Sequence, residues 1–211
     1  MADQTDLLKN YPYDPTANLG QAVEDEPEPT LSMPPKRFAL WLFIVSIIMI
    51  FASMTSAYIV RKAEGNWQDF ELPGVLWLST AVLVVSSFTV QMAWNAAKKD
   101  ELGQVKAWMF VTFALGLVFL YLQWESWVRL VQINVYLVGN PSGSFLYVLT
   151  GLHAFHLITG LVYLAITTVK AYRYKIHSQN LIEIEVPAIY WHFLDVLWIL
   201  LFGFLLWSHM S

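Results

Sequence analysis

Two histidines stand three residues apart within the apolar stretch TGLHAFHLITG, which runs from Thr150 to Gly160. His153 and His156 share one face of a helix, because residues i and i+3 are neighbours on its surface. An imidazole can ligate haem or a metal ion, relay protons, or hydrogen-bond to a neighbouring helix. Ionisable groups are costly in apolar surroundings, so this pair is a candidate functional site.

A second pair with the same spacing, His192 and Asp195, lies in the last apolar stretch of the chain. At 1.5 Å per residue, Asp195 and His156 both fall near the middle of their helices. We therefore predict a structural polar cluster of His153, His156, His192 and Asp195, hydrogen-bonded between the last two helices. Such interhelical hydrogen bonds contribute on the order of 1 kcal/mol each in membranes. Further neutral polar residues within apolar stretches are Gln91, Asn95 and Gln123.

Ligation of haem or of a metal ion is the alternative to a structural role for the same histidines. His153 and His156 share a helix face and cannot ligate opposite faces of one haem, so only a pair that includes His192 would serve. Gly151 and Gly160 could leave room for the macrocycle. A mononuclear metal site lacks an evident third and fourth ligand. A small transporter with its site at the cluster is a further alternative, although no inverted repeat or broken helix is visible.

Glu125 is the remaining carboxylate within an apolar stretch. Arg129 follows it at i+4, the spacing of an ion pair on a helix surface, and we expect that structural pairing. A carboxylate on a proton pathway is the alternative interpretation of Glu125.

The composition places these residues in a membrane protein. The chain has 211 residues, of which 57% are hydrophobic and 13% are charged, whereas soluble domains carry about 25% charged residues. The net charge of −4 and the lack of a long basic cluster argue against nucleic acid as a partner. The chain has no cysteine, which excludes disulfides, thiolate metal sites and iron–sulfur clusters.

Five stretches have the roughly 20 apolar residues that a membrane-spanning helix needs. The predicted fold class is therefore all-α, an integral membrane bundle of five transmembrane helices over residues 36–211. Residues 1–35 are acidic and contain proline, which predicts a disordered cytoplasmic tail. Lysines and arginines of the short loops divide eight to three between the two sides, which places the N-terminus inside and the C-terminus outside. The predicted spans are residues 38–60, 75–97, 107–128, 145–169 and 186–207.

The last two apolar stretches carry a resemblance to a known family. FLYVLTGLHAFHLITGLVYL resembles the penultimate helix of subunit III of the haem-copper terminal oxidases, with its pattern Thr-Gly-x-His-x-x-His-x-x-x-Gly. EVPAIYWHFLDVLWILLFGFLLW is similar to the last helix of that family, including a preceding glutamate, here Glu185. Two further helices of that family are similar to stretches of this chain, RFALWLFIVSIIMIFASMTSAYIV and ALGLVFLYLQWESW. The resemblance covers Lys36 to Trp207 and fits the short, five-helix bacterial form.

The resemblance implies a non-redox accessory subunit of a respiratory cytochrome c oxidase in the bacterial cytoplasmic membrane. Such a subunit binds no cofactor itself, packs mainly against subunit I and also accompanies subunit II, and those partners carry the haems and copper. It would form two sub-bundles with a lipid-filled V-shaped cleft, hold structural phospholipids, and support aerobic electron transport coupled to proton translocation. The four polar residues named above match the family's intramembrane cluster, and Lys170 and Arg173 fall where the family has basic residues beside lipid head groups.

The sequence does not identify the electron donor of the complex. The electron donor docks on other subunits, so a quinol oxidase or a nitric-oxide reductase cluster is an alternative, and an independent b-type cytochrome is the rival from another class. The family's opening helix often has a buried glutamate where this chain has Ile47, so a proton role through that position is not expected.

Overall fold

The computed structural model describes residues 34–65, 67, 70, 72–172 and 182–210. Over those ranges it contains five helices and no strand. Each helix is long and apolar enough to cross a membrane, which confirms the all-α membrane fold class. The predicted tail at residues 1–35 falls almost entirely outside the described residues. The helices are α1 (Pro35–Ala63), α2 (Val75–Lys98), α3 (Leu102–Gln132), α4 (Pro141–Tyr172) and α5 (Ile182–Met210).

The helices extend up to five residues beyond the spans that hydrophobicity alone predicts. Hydrophobicity marks only the hydrocarbon core, whereas helical hydrogen bonding continues into the interface on either side. α2 and α3 are joined by a tight turn, in which Asp100 has a φ of 56°. Aspartate is among the few residues other than glycine that adopt this left-handed conformation readily.

Helices α2 to α5 form a closed ring, in which α2 packs on α3, α3 on α4, α4 on α5, and α5 on α2. α1 lies outside this ring and contacts α4 and α5 through side chains. The ring of Phe43 on α1, for example, lies 5.7 Å from that of Tyr190 on α5. The described packing therefore sets α1 apart from the other four helices. A lipid-filled cleft between two sub-bundles stays a prediction.

Two tryptophans of α5 occupy the centre of the ring. Trp191 donates its indole N–H to Ser86 Oγ at 3.0 Å, and Trp198 donates to Thr80 Oγ1 at 3.0 Å. Both acceptors lie on α2. A buried indole needs such a partner, since an unsatisfied N–H in an apolar core costs free energy. The two hydrogen bonds therefore fix α5 against α2 over a distance of about 10 Å along the helix.

Gly116 on α3 makes room for Trp191. A Cβ atom at this position would lie 2.7 Å from Trp191 Cη2 and 2.7 Å from Leu161 Cδ2. Only glycine therefore lets α3 approach the indole of α5 and the leucine of α4 this closely. The three helices meet at this point.

The ends of α1, α4 and α5 converge on a group of ion pairs, and we call this end of the bundle the charged end. Glu183 of α5 accepts hydrogen bonds from Lys36 of α1 and from Lys170 of α4, the latter at 2.5 Å. Arg37 donates to Glu185 at 2.5 Å. Glu183 therefore bridges three helices, and Glu185 makes a second link between α1 and α5.

At the opposite end, a tyrosine fixes α1 to α5. The Tyr58 hydroxyl lies 2.8 Å from Ser208 Oγ, and Lys62 donates to the Ser208 carbonyl. The Tyr58 ring also packs edge-on against Trp67 and Phe204, at centroid distances of 4.7 and 5.1 Å. α1 is thus held at both of its ends, and a groove separates its middle from α5.

Candidate functional site

His153 lies in an aromatic core. It is fully buried, and its ring centroid lies 4.9 Å from that of Trp198 at an interplanar angle of 36°. Phe119 of α3 approaches edge-on at 6.0 Å. Neither ring nitrogen of His153 has a hydrogen-bond partner among the described residues. The imidazole therefore contributes mainly as a flat ring between α3, α4 and α5.

His156, one turn further along α4, faces α1. Its Nδ1 lies 2.8 Å from the Leu152 carbonyl of its own helix, so this nitrogen carries the proton and donates it. The ring lies 5.8 Å from Phe51 and 6.4 Å from Phe43, both on α1. Ile47 stands between these two phenylalanines in the sequence and is 1% exposed. The α1 surface around His156 is accordingly apolar.

His192 faces α2. Its Nδ1 lies 2.6 Å from Ser87 Oγ, and its Nε2 lies 3.2 Å from Gln91 Oε1. The Gln91 carbonyl oxygen can only accept, so Nε2 carries the proton and Nδ1 accepts from the Ser87 hydroxyl. One imidazole thus makes two interhelical hydrogen bonds.

Asp195 lies one turn beyond His192 and is 3% exposed. Together with Ser87 and Gln91 the residue lines a cavity of about 280 Å³ between α2 and α5, although both of its carboxyl oxygens are fully buried. Within the described part of the chain, neither carboxyl oxygen makes a hydrogen bond of good geometry, and the donor that approaches Asp195 is the Ser87 hydroxyl, which donates to His192.

The predicted hydrogen-bonded cluster between α4 and α5 is therefore wrong in its contacts. His153 packs on Trp198 and His156 faces α1, whereas His192 and Asp195 face α2. The spacing in the sequence gives the depth of each side chain and its partner on the same face. It does not give the rotation of one helix relative to the next, and that rotation decides which residues meet.

The contact between α4 and α5 is made instead by residues that the sequence analysis did not select. Tyr190 of α5 shares a 3.0 Å hydrogen bond with Thr159 of α4 and donates to the His156 carbonyl at 3.3 Å. Gly160 lies under the same aromatic residues, because a Cβ there would be 3.4 Å from Tyr190 and 3.6 Å from Trp191. The signal that could have found them is the need of each buried hydroxyl or indole for a partner on a neighbouring helix.

These contacts do not fit a haem held between histidines. Trp198 packs against the ring of His153, and both ring nitrogens of His192 make hydrogen bonds to residues of α2. The room beside Gly160 is occupied by Leu194, whose Cδ1 would lie 3.1 Å from an added Cβ. In the described ranges, no three histidine, aspartate or glutamate side chains come together as a group that could hold a metal ion.

The remaining charged candidates have ion-pair partners, where the structure describes them. Glu125 accepts from Arg129 Nε at 3.1 Å on the same helix, which confirms the predicted structural pairing. Glu185 pairs with Arg37, and Lys170 pairs with Glu183 at the charged end. Arg173 lies outside the described residues.

Comparison with known proteins gives consistent matches over nearly the whole chain. The family model for cytochrome c oxidase subunit III matches residues 32–209. A probable cytochrome c oxidase subunit 3 of Nocardia farcinica is 33% identical over 167 residues, which cover 77% of this chain and 82% of the relative. The cytochrome bo(3) ubiquinol oxidase subunit 3 of Pseudomonas aeruginosa is 33% identical over 173 residues, or 78% of this chain and 81% of that protein. A probable quinol oxidase subunit 3 of Staphylococcus saprophyticus is 26% identical over 172 residues, covering 79% and 85% of the two chains.

Proposed function

Because the chain belongs to the cytochrome c oxidase subunit III family, we propose that it is a non-redox accessory subunit that stabilises the catalytic subunit I. Relatives named for cytochrome c oxidases and for quinol oxidases are 26–33% identical to it, so the chain is a subunit III of the haem-copper oxidase type. Its place is in an oxidase complex, as an integral membrane protein with five apolar helices among its described residues.

The observation that carries the proposed role is the use to which the buried histidines are put. His153 packs on Trp198, His156 caps a carbonyl of its own helix, and His192 joins α5 to α2. Each imidazole is committed to helix packing, as expected of a scaffold. The haems and copper of the complex are then carried by subunits I and II, which are the proposed partners together with membrane phospholipids.

Lipid binding is proposed at two places. An apolar groove of about 550 Å³ separates α1 from α5 and runs from Ile48 to Ile59, about 16 Å along the helix. This groove is suited to acyl chains, because its lining is almost wholly aliphatic and aromatic. Near the charged end, a cavity of about 300 Å³ includes Lys36, and we propose that lipid phosphates bind at this end of the bundle. Lys170 and Arg173 are the further basic residues proposed for those phosphates, and Arg173 lies outside the described residues.

The charged end would face the cytoplasm of a bacterial cell, since most loop lysines and arginines lie at that end. Cytochrome c is the proposed electron donor of the complex. A quinol is the second candidate, because the Pseudomonas aeruginosa ubiquinol oxidase subunit is as similar to this chain as the Nocardia farcinica relative.

The accessory role predicts how the complex behaves when this chain is removed. Complex purified from a strain that lacks the chain should show initial turnover comparable to that of the intact complex, because no electron passes through the removed subunit. Its activity should then decay several-fold faster during continuous turnover, because subunit I has lost its support. The measurement is oxygen consumption against time in matched detergent.

Adding back the purified chain supplies the control and should restore the lifetime of the complex. An immediate loss of turnover in a core whose haem spectrum is intact would contradict the accessory role and assign this chain a part in catalysis.

A further inference from the structure

Two amide side chains of α2 are exposed on the outside of the bundle, at a depth where a membrane holds little water. Gln91 lies about 10 Å along α2 from Lys98, and Asn95 lies one turn nearer to that end. The 24 residues of α2 span about 36 Å, whereas the hydrocarbon core of a bilayer is about 30 Å thick. Gln91 therefore lies several ångströms inside the hydrocarbon, where polar side chains are costly unless they contact other protein.

The donors of these two amides are only partly used within the chain. Gln91 Oε1 accepts from His192 Nε2, and Gln91 Nε2 donates to Asn95 Oδ1 at 3.4 Å. One N–H of Gln91 and both side-chain N–H groups of Asn95 have no acceptor among the described residues. Because side chains of a helix lean towards its N-terminus, Asn95 leans back towards Gln91 and away from the membrane surface near Lys98. The unused donors are thus held inside the membrane.

These amides border an open groove between α2 and α5. The groove consists of a hollow of about 280 Å³ and an adjoining one of about 180 Å³, and Gln91 and His192 line both. The walls of the larger hollow are otherwise mostly apolar and include Val84, Phe88, Val196 and Ile199. Phe88 is 68% exposed, so the groove is open to the outside of the bundle. Whatever fills it must be largely apolar and must offer hydrogen-bond acceptors at the level of Gln91.

Both walls of the groove have the residue spacing with which a further helix would pack. Exposed or half-exposed residues follow one another at alternating intervals of three and four on each helix. They are Ala81, Val84, Phe88, Gln91 and Asn95 on α2, and Ile189, His192, Val196, Ile199 and Gly203 on α5. This spacing is that of the seam along which helices pack side by side. Nothing lies within 4 Å of a Cβ added at Gly203, which leaves room for the backbone of another helix to approach.

We propose that the groove between α2 and α5 binds a transmembrane helix of another subunit of the oxidase complex. That helix carries a hydroxyl, amide or carboxyl oxygen that accepts from the amides of Gln91 and Asn95. A phospholipid fits less well, because its acyl chains have no acceptor and its ester oxygens lie at the interface, further out than Gln91. The proposal rests on the proposed place of the chain in an oxidase complex, and it identifies the face through which the chain is joined to that complex.

Photo-crosslinking from the groove identifies its occupant. The variant has p-benzoylphenylalanine in place of Phe88, and the membrane-embedded complex is irradiated and its crosslinked peptides are mapped by mass spectrometry. The control has the same amino acid in place of Phe110, an exposed phenylalanine of α3. Phe88 lies ten residues from Lys98 and Phe110 lies eight from Leu102, so the depths are about 15 and 12 Å from the same end of the bundle.

The expected result is a crosslink from position 88 to one transmembrane segment of another subunit. That segment should have an acceptor side chain within one helical turn of the crosslinked residue, and position 110 should not crosslink to it. Crosslinks from position 88 only to lipid, to another small molecule or to a second copy of this chain would overturn the proposal. Such a result in a complex that still loses its lifetime without this chain would leave the accessory role standing.

Gln91→Met tests whether the amide donors hold the partner. Ser87→Ala is the matched control, because it also removes one hydrogen bond to His192 but leaves both amides in place. During a detergent wash of the complex, Q91M should be released about tenfold faster than S87A, the effect of losing an interhelical hydrogen bond in a membrane. Equal rates of release would overturn the role of the amides. If Q91M does not accumulate, the crosslinks from position 88 decide the proposal.

Discussion

Three buried aromatic side chains of α5 each donate a hydrogen bond to a different neighbour. Trp191 reaches Ser86, Trp198 reaches Thr80, and Tyr190 reaches Thr159, so that small hydroxyls on α2 and α4 receive the aromatic donors of α5. Small residues make these contacts possible because they let helix backbones approach closely, as in other membrane proteins. Gly116 shows how tight the fit is.

Replacing Gly116 by alanine should destabilise the chain. The added Cβ would lie 2.7 Å from both Trp191 and Leu161, so both side chains must shift, and over-packing of this kind costs about 1–3 kcal/mol. The measurement is the thermal unfolding midpoint of the purified chain in detergent. Gly203→Ala is the control, since nothing lies within 4 Å of a Cβ at that helical position. Equal midpoints for the two variants would show that the core at Gly116 is loosely packed.

The depth of the polar residues was predictable from the sequence, whereas their partners were not. Asp195 and His156 do lie well inside their helices, because residue count alone sets the distance along a helix. The hydrogen bonds predicted for them were wrong, because Tyr190 and Trp191 fill the contact between α4 and α5. His192 lies on another side of α5 and faces α2. A single sequence carries no direct record of that rotation.

At the scale of helices, the ion pairs of the charged end decide where α1 lies. The spans themselves follow from hydrophobicity, and all five apolar stretches proposed from the sequence are helices in the described chain. α1 has few close backbone contacts with the ring of α2 to α5, so the side chains at its two ends carry more of its attachment. Glu183 is central, because its carboxylate joins Lys36 and Lys170 on two different helices.

Glu183→Gln should weaken the attachment of α1. The carboxylate is 21% exposed and serves two lysines, so its loss should cost about 1 kcal/mol, the upper end for ion pairs near a surface. Thermal unfolding midpoints in detergent would measure this loss. Glu125→Gln serves as the control, because its pair with Arg129 lies within one helix and should contribute about 0.3–0.5 kcal/mol.

A double-mutant cycle with Lys36→Gln isolates the link between α1 and α5. The effects of E183Q and K36Q should be less than additive if the two groups stabilise one another. Additive effects would show that Lys36 and Glu183 do not stabilise one another, so that α1 is held by the Arg37–Glu185 pair, by the contacts of Tyr58 and Lys62, and by apolar packing.

At the scale of the whole chain, the surface of the bundle is built for hydrocarbon and for partner helices. Large apolar side chains such as Phe88, Trp77 and Tyr121 are more than 60% exposed, which a protein in water would not tolerate in such number. The family supplies the reason, since a subunit III lies in a membrane oxidase complex. Ile47 on α1 is 1% exposed, and its burial fits a chain whose interior serves packing.

The most direct test of the central claim is an optical spectrum with metal analysis of the chain purified alone, beside the complex with which it co-purifies. A non-redox subunit III predicts a colourless, metal-free chain and a complex that shows the haem bands and copper of an oxidase. A reduced-minus-oxidised haem band from the chain alone would contradict that claim, and His153, His156 and His192 would then be the ligands to substitute.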